Sequence, residues 1–369
     1  MAGEGRDRKS LGTADRAEAD RLGRALLSAL LRDESIAESG IVTLGDLWTR
    51  YQRDAVAFLD NHEKTQLDDE GRVEVLLGYF GEDCDVTKLT ESDQQAFINK
   101  RIAGGIKCSD RRTTDAVRSR SVEADLKLLH SMLNWACTVR VRGGKRLIES
   151  NPLSGIKKPH EKNPRRPVAT WERFNATRSA VQQLVSECKT DADRRKWLKL
   201  EMALVLAEAT GRRLGSIRQL EWSDVDLNAE TIHWRADTDK KGKAWRIPMT
   251  TALRDELKAF RLRLGGVFGG LLFTSETDAS KPIRTDVFAK WLKVAEAKAK
   301  LPKLEGSLWH AYRRAWATAR KYLPVTDVAA AGGWSDLTTL LRCYQQTDED
   351  TLLAVMNEPR KVTERVKNA

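Results

Sequence analysis

The 369-residue sequence lacks any apolar run near the roughly 20 residues that cross a bilayer, so a membrane-embedded class is excluded. Its five cysteines, Cys84, Cys108, Cys137, Cys188 and Cys343, form no Cys-x-x-Cys pair and no metal spacing. A Gly-rich phosphate loop and internal repeats are also missing. The opening MAGEGRDRKS has no apolar signal core. A reduced, cytoplasmic protein with neither metal nor cofactor is expected. What the chain has is charge: 64 Lys plus Arg against 53 Asp plus Glu, a net +11 and a pI near 9.4. Such a balance suits a polyanion, and with the membrane excluded the candidate is nucleic acid. The length exceeds one ordinary core and suits at least two domains.

Residues 1–42 form a charged arm with one helical stretch, where Leu22, Ala25, Leu26, Ala29 and Leu30 share a face. Helical text then runs over 43–150. Thr43 is placed to cap Leu44, Leu47, Trp48, Tyr51, Val56 and Leu59, and Val122, Leu126, Leu129, Leu133 and Ala136 recur at spacings of four and three. A small all-helical domain is predicted. Inside it, residues 99–121 carry seven basic side chains (Lys100, Arg101, Lys107, Arg111, Arg112, Arg118, Arg120) against two acidic ones. They read either as a solvated loop or as a phosphate-contacting edge. Residues 151–169 open with NPLSGIKKPHEKNPRRP, whose four prolines and Lys157, Lys158, Lys162, Arg165 and Arg166 describe an extended basic linker. A mainly helical second domain is expected over 170–359, with a tail at 360–369. Its helix DRRKWLKLEMALVLAEAT stops at Gly211, and TIHWRA and AWRIPM flank DTDKKGK as a β-hairpin.

Taken singly, the polar residues of this half have ordinary explanations. Tyr344, in AGGWSDLTTLLRCYQQ, reads as a half-buried wall residue; His310 and Arg313 could be a surface pair. Lys240, Lys241 and Lys243 fit a solvated turn, and the arginine after Gly211 could cap helix carbonyls. Together they suit phosphodiester transesterification. A phenol attacks phosphorus, guanidinium forks hold the non-bridging oxygens, and a lysine or histidine protonates the leaving alkoxide.

The order of these pieces resembles the tyrosine recombinases, the phage-integrase family. ATGRRLGSIRQLEWSDVDL resembles the family's T-G-x-R box and sets Arg213, not Arg212, on the first arginine. DKKGKAWRIP is similar to the lysine hairpin, giving Lys240, with Lys241 and Lys243 as the alternatives. HAYRRAWAT resembles the H-x-L-R-R box, giving His310 and Arg313, and GGWSDLTTLLRCY gives Trp334 and Tyr344. Three departures stand out. Ser216 replaces the usual acidic residue three after the first arginine, Trp334 stands where histidine is commoner, and Trp334 and Tyr344 are ten apart instead of nine.

The resemblance implies a mainly α protein with a helical, SAM-like core-binding domain and a helical catalytic domain carrying a small antiparallel β-sheet. It implies a site-specific recombinase or integrase of a mobile element, cutting double-stranded DNA through a 3′-phosphotyrosyl bond and a Holliday junction as a homotetramer on two sites. Arg213, Lys240, His310, Arg313, Trp334 and Tyr344 are the implied catalytic set, with Trp334 donating its indole N–H to a phosphate oxygen. Accessory DNA-bending or directionality proteins are further candidate partners. The segment after Tyr344 is a candidate for docking on a neighbour. The competing expectations are a type IB topoisomerase and a recombinase-derived DNA-binding protein that no longer cleaves.

Overall fold

The structure, a computed structural model, describes residues 15–21, 23, 24, 27, 41–110, 112–141, 144–162, 166–239, 241–266, 269–306 and 308–358. The arm residues Leu22, Ala25, Leu26, Ala29 and Leu30, the tail 360–369, and Arg111, Arg165 and Lys240 lie outside the described residues. The chain divides into two compact units, residues 1–164 and 165–369.

The first unit is built from α1 (Leu44–Asp54), α2 (Glu63–Phe80), α3 (Glu91–Ala103) and α4 (Ser119–Ala136). Local chemistry starts these helices: Thr43 Oγ1 accepts from the Asp46 amide at 3.1 Å, and Thr90 and Asp93 form a reciprocal capping box. The apolar ladder of α4 points inward, with Val122, Leu126, Leu129, Leu133 and Ala136 all buried. It meets Leu44, Leu47, Val73, Leu76 and Phe97 in one core. Each fully buried leucine contributes about 2 kcal/mol of hydrophobic free energy. The basic stretch is not wholly a loop. Its first residues finish α3, and a ribbon of β1 (Lys107–Ser109) and β2 (Arg112–Thr113) follows. Gly104 makes the exit, at φ 81° and with no room for a Cβ beside the Thr114–Ala116 backbone.

The second unit surrounds α6 (Asp191–Thr210), which is apolar on most faces and therefore central. Against it pack α5 (Trp171–Glu187), the one-turn α7 (Leu214–Ile217), α8 (Thr251–Arg263), α9 (Thr285–Lys298) and α10 (Leu308–Ala319). An antiparallel sheet runs in the order β3 (Val225–Asp226), β4 (Thr231–Trp234), β5 (Trp245–Pro248). β4 and β5 are the expected hairpin, in register from Thr231 opposite Pro248 to Trp234 opposite Trp245. Three further helices complete the unit: α11 (Val325–Gly332), α12 (Leu337–Cys343) and α13 (Glu349–Asn357). Among the described residues no helix is long and apolar enough to cross a membrane.

Candidate active site

The helix α6 ends where its sequence says it should, at Gly211, in the left-handed region at φ 63°. A side chain there would overlap the Trp316 ring, so glycine lets α10 approach the turn. The turn delivers Arg212 and Arg213 in opposite ways. Arg212 is buried, donating from Nε to Ala331 O (2.9 Å) and from Nη2 to Ala330 O (3.0 Å). Arg213 is partly exposed on an open cleft of about 430 Å³ that His310 and Arg313 also line.

Arg213 donates from Nη1 to Gly333 O at 3.3 Å and lies 3.7 Å from the Asp239 carboxylate. Ser216 is not aimed at Arg213. Its hydroxyl donates to Thr238 O at 3.0 Å and so holds the hairpin turn that presents Asp239. The acid missing from the position of Ser216 is thus supplied from the hairpin, 26 residues after Arg213 by number, a relation that no local spacing could reveal.

Arg313 is buried, only 2% exposed, and its Nη1 donates to Gly211 O and to Gly332 O at 2.6 Å. Its Nε and Nη2 have no hydrogen-bond partner among the described residues. Burial, then the neighbouring Arg213, pushes its pKa down to about 9. A guanidinium whose charge is penalised by burial and by a like neighbour is relieved by an oxyanion.

Tyr344 is the C-cap of α12, the residue beyond Cys343, at φ −120° and with its N–H donating to Leu340 O. Asp336 starts that helix by accepting from the Thr338 and Thr339 amides, each at 3.0 Å. The phenol reaches His310, with Oη 3.3 Å from Nδ1. Burial, then Arg314, Arg313 and Arg213, holds His310 down to about 4, so its imidazole is neutral near pH 7. Despite the ten-residue interval, the Trp334 and Tyr344 rings meet edge to face at 4.9 Å. Trp334 is buried, its ring 3.5 Å from the Arg313 guanidinium carbon, and its Nε1 has no partner among the described residues. Gly332 and Gly333 are needed here. A Cβ on Gly332 would overlap the Trp334 ring, and one on Gly333 the Arg212 guanidinium.

The tyrosine segment is strapped on both sides. Thr318 Oγ1 donates to Tyr344 O (3.1 Å), and Lys321 holds Gln346 O (3.2 Å) and Asp348. From the start of the unit, Arg166 donates to Arg342 O, Gln346 Nε2 donates to Arg166 O (2.7 Å), and Arg314 donates to Pro167 O (3.0 Å).

The expected DNA-contacting cations are less uniform. Lys100, Arg120 and Lys157 are exposed, and Lys158 is half-buried. Arg101 is committed to buried Asp125 (2.9 Å), Arg112 pairs with Glu74, Arg118 with Glu161, and Lys107 with Asp110 (3.1 Å). Sequence reasoning missed Asp239, Arg212, and the buried triad in which Arg173 pairs with Glu296 (2.7 Å) while Tyr312 Oη donates to Glu296 (3.0 Å). Tyr312 sits between His310 and Arg313, and the triad anchors that helix to α5 and α9.

Residues 175–350 match the model of the Phage integrase family. The integrase of Salmonella phage P22 is 22% identical over 355 residues, which cover 91% of this chain and 85% of that protein. The fold is that of a lambda integrase dimer bound to a COC′ core site (TM-score 0.64, 17% identity, 95% of this chain and 90% of that one). A lambda integrase tetramer bound to a Holliday junction superposes with TM-score 0.63 at 18% identity, covering 91% of this chain and 90% of that one. The Tn1549 transposon integrase in complex with transposon right end DNA does so at 0.59 and 15%, over 85% and 98%.

Proposed function

The chain belongs to the phage integrase family, the tyrosine recombinases, and we propose that it cuts and rejoins double-stranded DNA at specific sites through a covalent bond to Tyr344. The observation that carries this reading is the pairing of a phenol 3.3 Å from a neutral imidazole with the buried Arg313, whose Nε and Nη2 await an acceptor. A scissile phosphate in the cleft would take its non-bridging oxygens to Arg313 and Arg213. Tyr344 Oη attacks phosphorus while His310 Nδ1 accepts the phenolic proton. The bond from phosphorus to the 5′ oxygen breaks, and Lys240, which the hairpin motif nominates, protonates that oxygen. The 3′-phosphotyrosyl ester keeps the bond energy, so the 5′ hydroxyl of a second strand reverses the step with no external energy source.

By likeness to the lambda integrase tetramer on a Holliday junction, the working assembly is a homotetramer on two DNA sites. The exposed cations Lys100, Arg120 and Lys157 are assigned to DNA phosphates of the first unit. The reading extends to a cytoplasmic protein helped by accessory DNA-bending or directionality proteins. Incubation with a nicked suicide substrate tests the core of it. The parent protein should yield a denaturant-stable covalent complex and Tyr344→Phe none. Equal yields from both would remove Tyr344 as nucleophile, and no complex from the parent would leave a DNA-binding protein that does not cleave. Plasmid relaxation without joining of separate duplexes would favour a topoisomerase.

A further inference from the structure

We infer that Arg212, the residue passed over by the T-G-x-R motif, is a positioning residue that sets the two acceptors holding Arg213 in the cleft. The inference rests on the proposed strand-transfer reaction. Arg212 and Arg213 are adjacent, yet Arg212 is buried while the Arg213 side chain is 28% exposed. Arg212 is 3% exposed and spends Nε and Nη2 on Ala331 O and Ala330 O, the carbonyls that end α11. Its planar fork caps the negative end of that helix, a role a point-charge amine fills less well. The same guanidinium lies 5.2 Å from the Trp234 ring and 5.5 Å from the Trp245 ring. Those two tryptophans face each other as the last register pair of the β4–β5 hairpin before its turn.

Arg212 therefore joins two elements that share no backbone hydrogen bond with each other among the described residues. From the α11 side comes Gly333 O, the acceptor of Arg213 Nη1. From the hairpin side come Asp239, 3.7 Å from Arg213, and Thr238 O, held by Ser216. Gly333, at φ 73°, has Arg212 occupying the space a Cβ would need, so the turn is shaped around this side chain. Burial lowers the Arg212 pKa to about 10, which leaves it charged at neutral pH, with carbonyls and indole faces offsetting the charge. Moving either acceptor would swing Arg213 away from the phosphate oxygen it is to neutralise.

The test compares full-length parent, Arg212→Met and Arg212→Lys on two suicide substrates, one with an ordinary scissile phosphate and one with a methylphosphonate there. The methylphosphonate lacks the anionic oxygen, so misaligned Arg213 matters little for it. Single-turnover covalent-complex formation is measured at saturating DNA, with the DNA dissociation constant measured separately. Arg212→Met should slow cleavage of the phosphate by about 100-fold, the size expected for a lost oxyanion donor, with DNA binding within about twofold. On the methylphosphonate it should run within about threefold of the parent. Arg212→Lys keeps the charge and one carbonyl bond, and should show the same split at smaller size, which carries the test if Arg212→Met does not fold. Equal slowing on both substrates by the folded variants, or parental rates on the phosphate, overturns the inference. Failure of the parent to form either complex overturns the proposed reaction instead.

Discussion

The guanidinium carbon of Arg313 lies 3.5 Å from the centre of the Trp334 ring. The indole presents its face to the arginine while its N–H is buried with no partner among the described residues. In this geometry the ring face supports Arg313, whose Nε and Nη2 likewise have no partner among the described residues.

Trp334→Phe is accordingly expected to retain covalent-complex formation within about tenfold of the parent, because a ring face remains beneath Arg313. Trp334→Ala forfeits a desolvated cation–π contact of about 2 kcal/mol and leaves a cavity, and should lose at least about 30-fold. Suicide-substrate kinetics separate the two. A phenylalanine variant as slow as the alanine variant would restore the indole N–H as the working group.

Asp239→Asn removes the charge that orients Arg213 and should slow cleavage about tenfold, a loss of one charge-assisted contact. Ser216→Ala acts only through the turn and should cost about threefold. DNA binding should not weaken in either variant, since neither loses a cation. A parental cleavage rate for Asp239→Asn would detach Asp239 from this role.

Arg173, Glu296 and Tyr312 form a charged group in the core of the second unit, each less than 8% exposed. Glu296→Ala leaves the Arg173 charge buried and unpaired, and should destabilise the fold by about 3–5 kcal/mol in denaturant titrations. Tyr312→Phe leaves the ion pair intact and should cost about 1 kcal/mol. Replacing both ions together, with Arg173→Met and Glu296→Leu, should cost less than Glu296→Ala alone.

Two groups give opposite responses to pH. His310 is held at about 4, below its ordinary 6.5, so the unfolded chain takes up a proton first. Its contribution to stability is present above 6.5 and lost as pH falls through 4. Burial raises the Glu208 carboxyl from 4.5 to about 6, so its contribution is present below 4.5 and lost as pH rises through 6. Melting temperatures of the parent minus those of His310→Gln should therefore shrink on acidification from 6.5 towards 4. The difference for Glu208→Gln should shrink in the other direction, from 4.5 to 6. A difference independent of pH would show that the group keeps its ordinary pKa.

What could be read in advance was whatever depends on neighbours along the chain. The ladder of α4, the stop at Gly211 and the hairpin around DTDKKGK follow from periodicity and turn chemistry, which act over a few residues. The fate of two adjacent arginines did not, because Arg212 is claimed by carbonyls more than 115 positions away and Arg213 by the hairpin and Gly333. Nor did the reason for the glycine pair before Trp334, which lies in a ring and a guanidinium brought in by tertiary contact. The motif also concealed that Tyr344 ends its helix as the C-cap, since LTTLLRCY has nothing that breaks one.

The hydrogen bonds of Arg166 and Pro167 have a mechanical reading. The chain enters the second unit at these residues, and they are bonded to Arg342, Gln346 and Arg314 before α5 begins. Two of these bonds fall at Arg342 and Gln346, two residues before Tyr344 and two residues after it. The backbone on either side of Tyr344, the proposed nucleophile, is thus braced against the residues by which the chain enters the second unit.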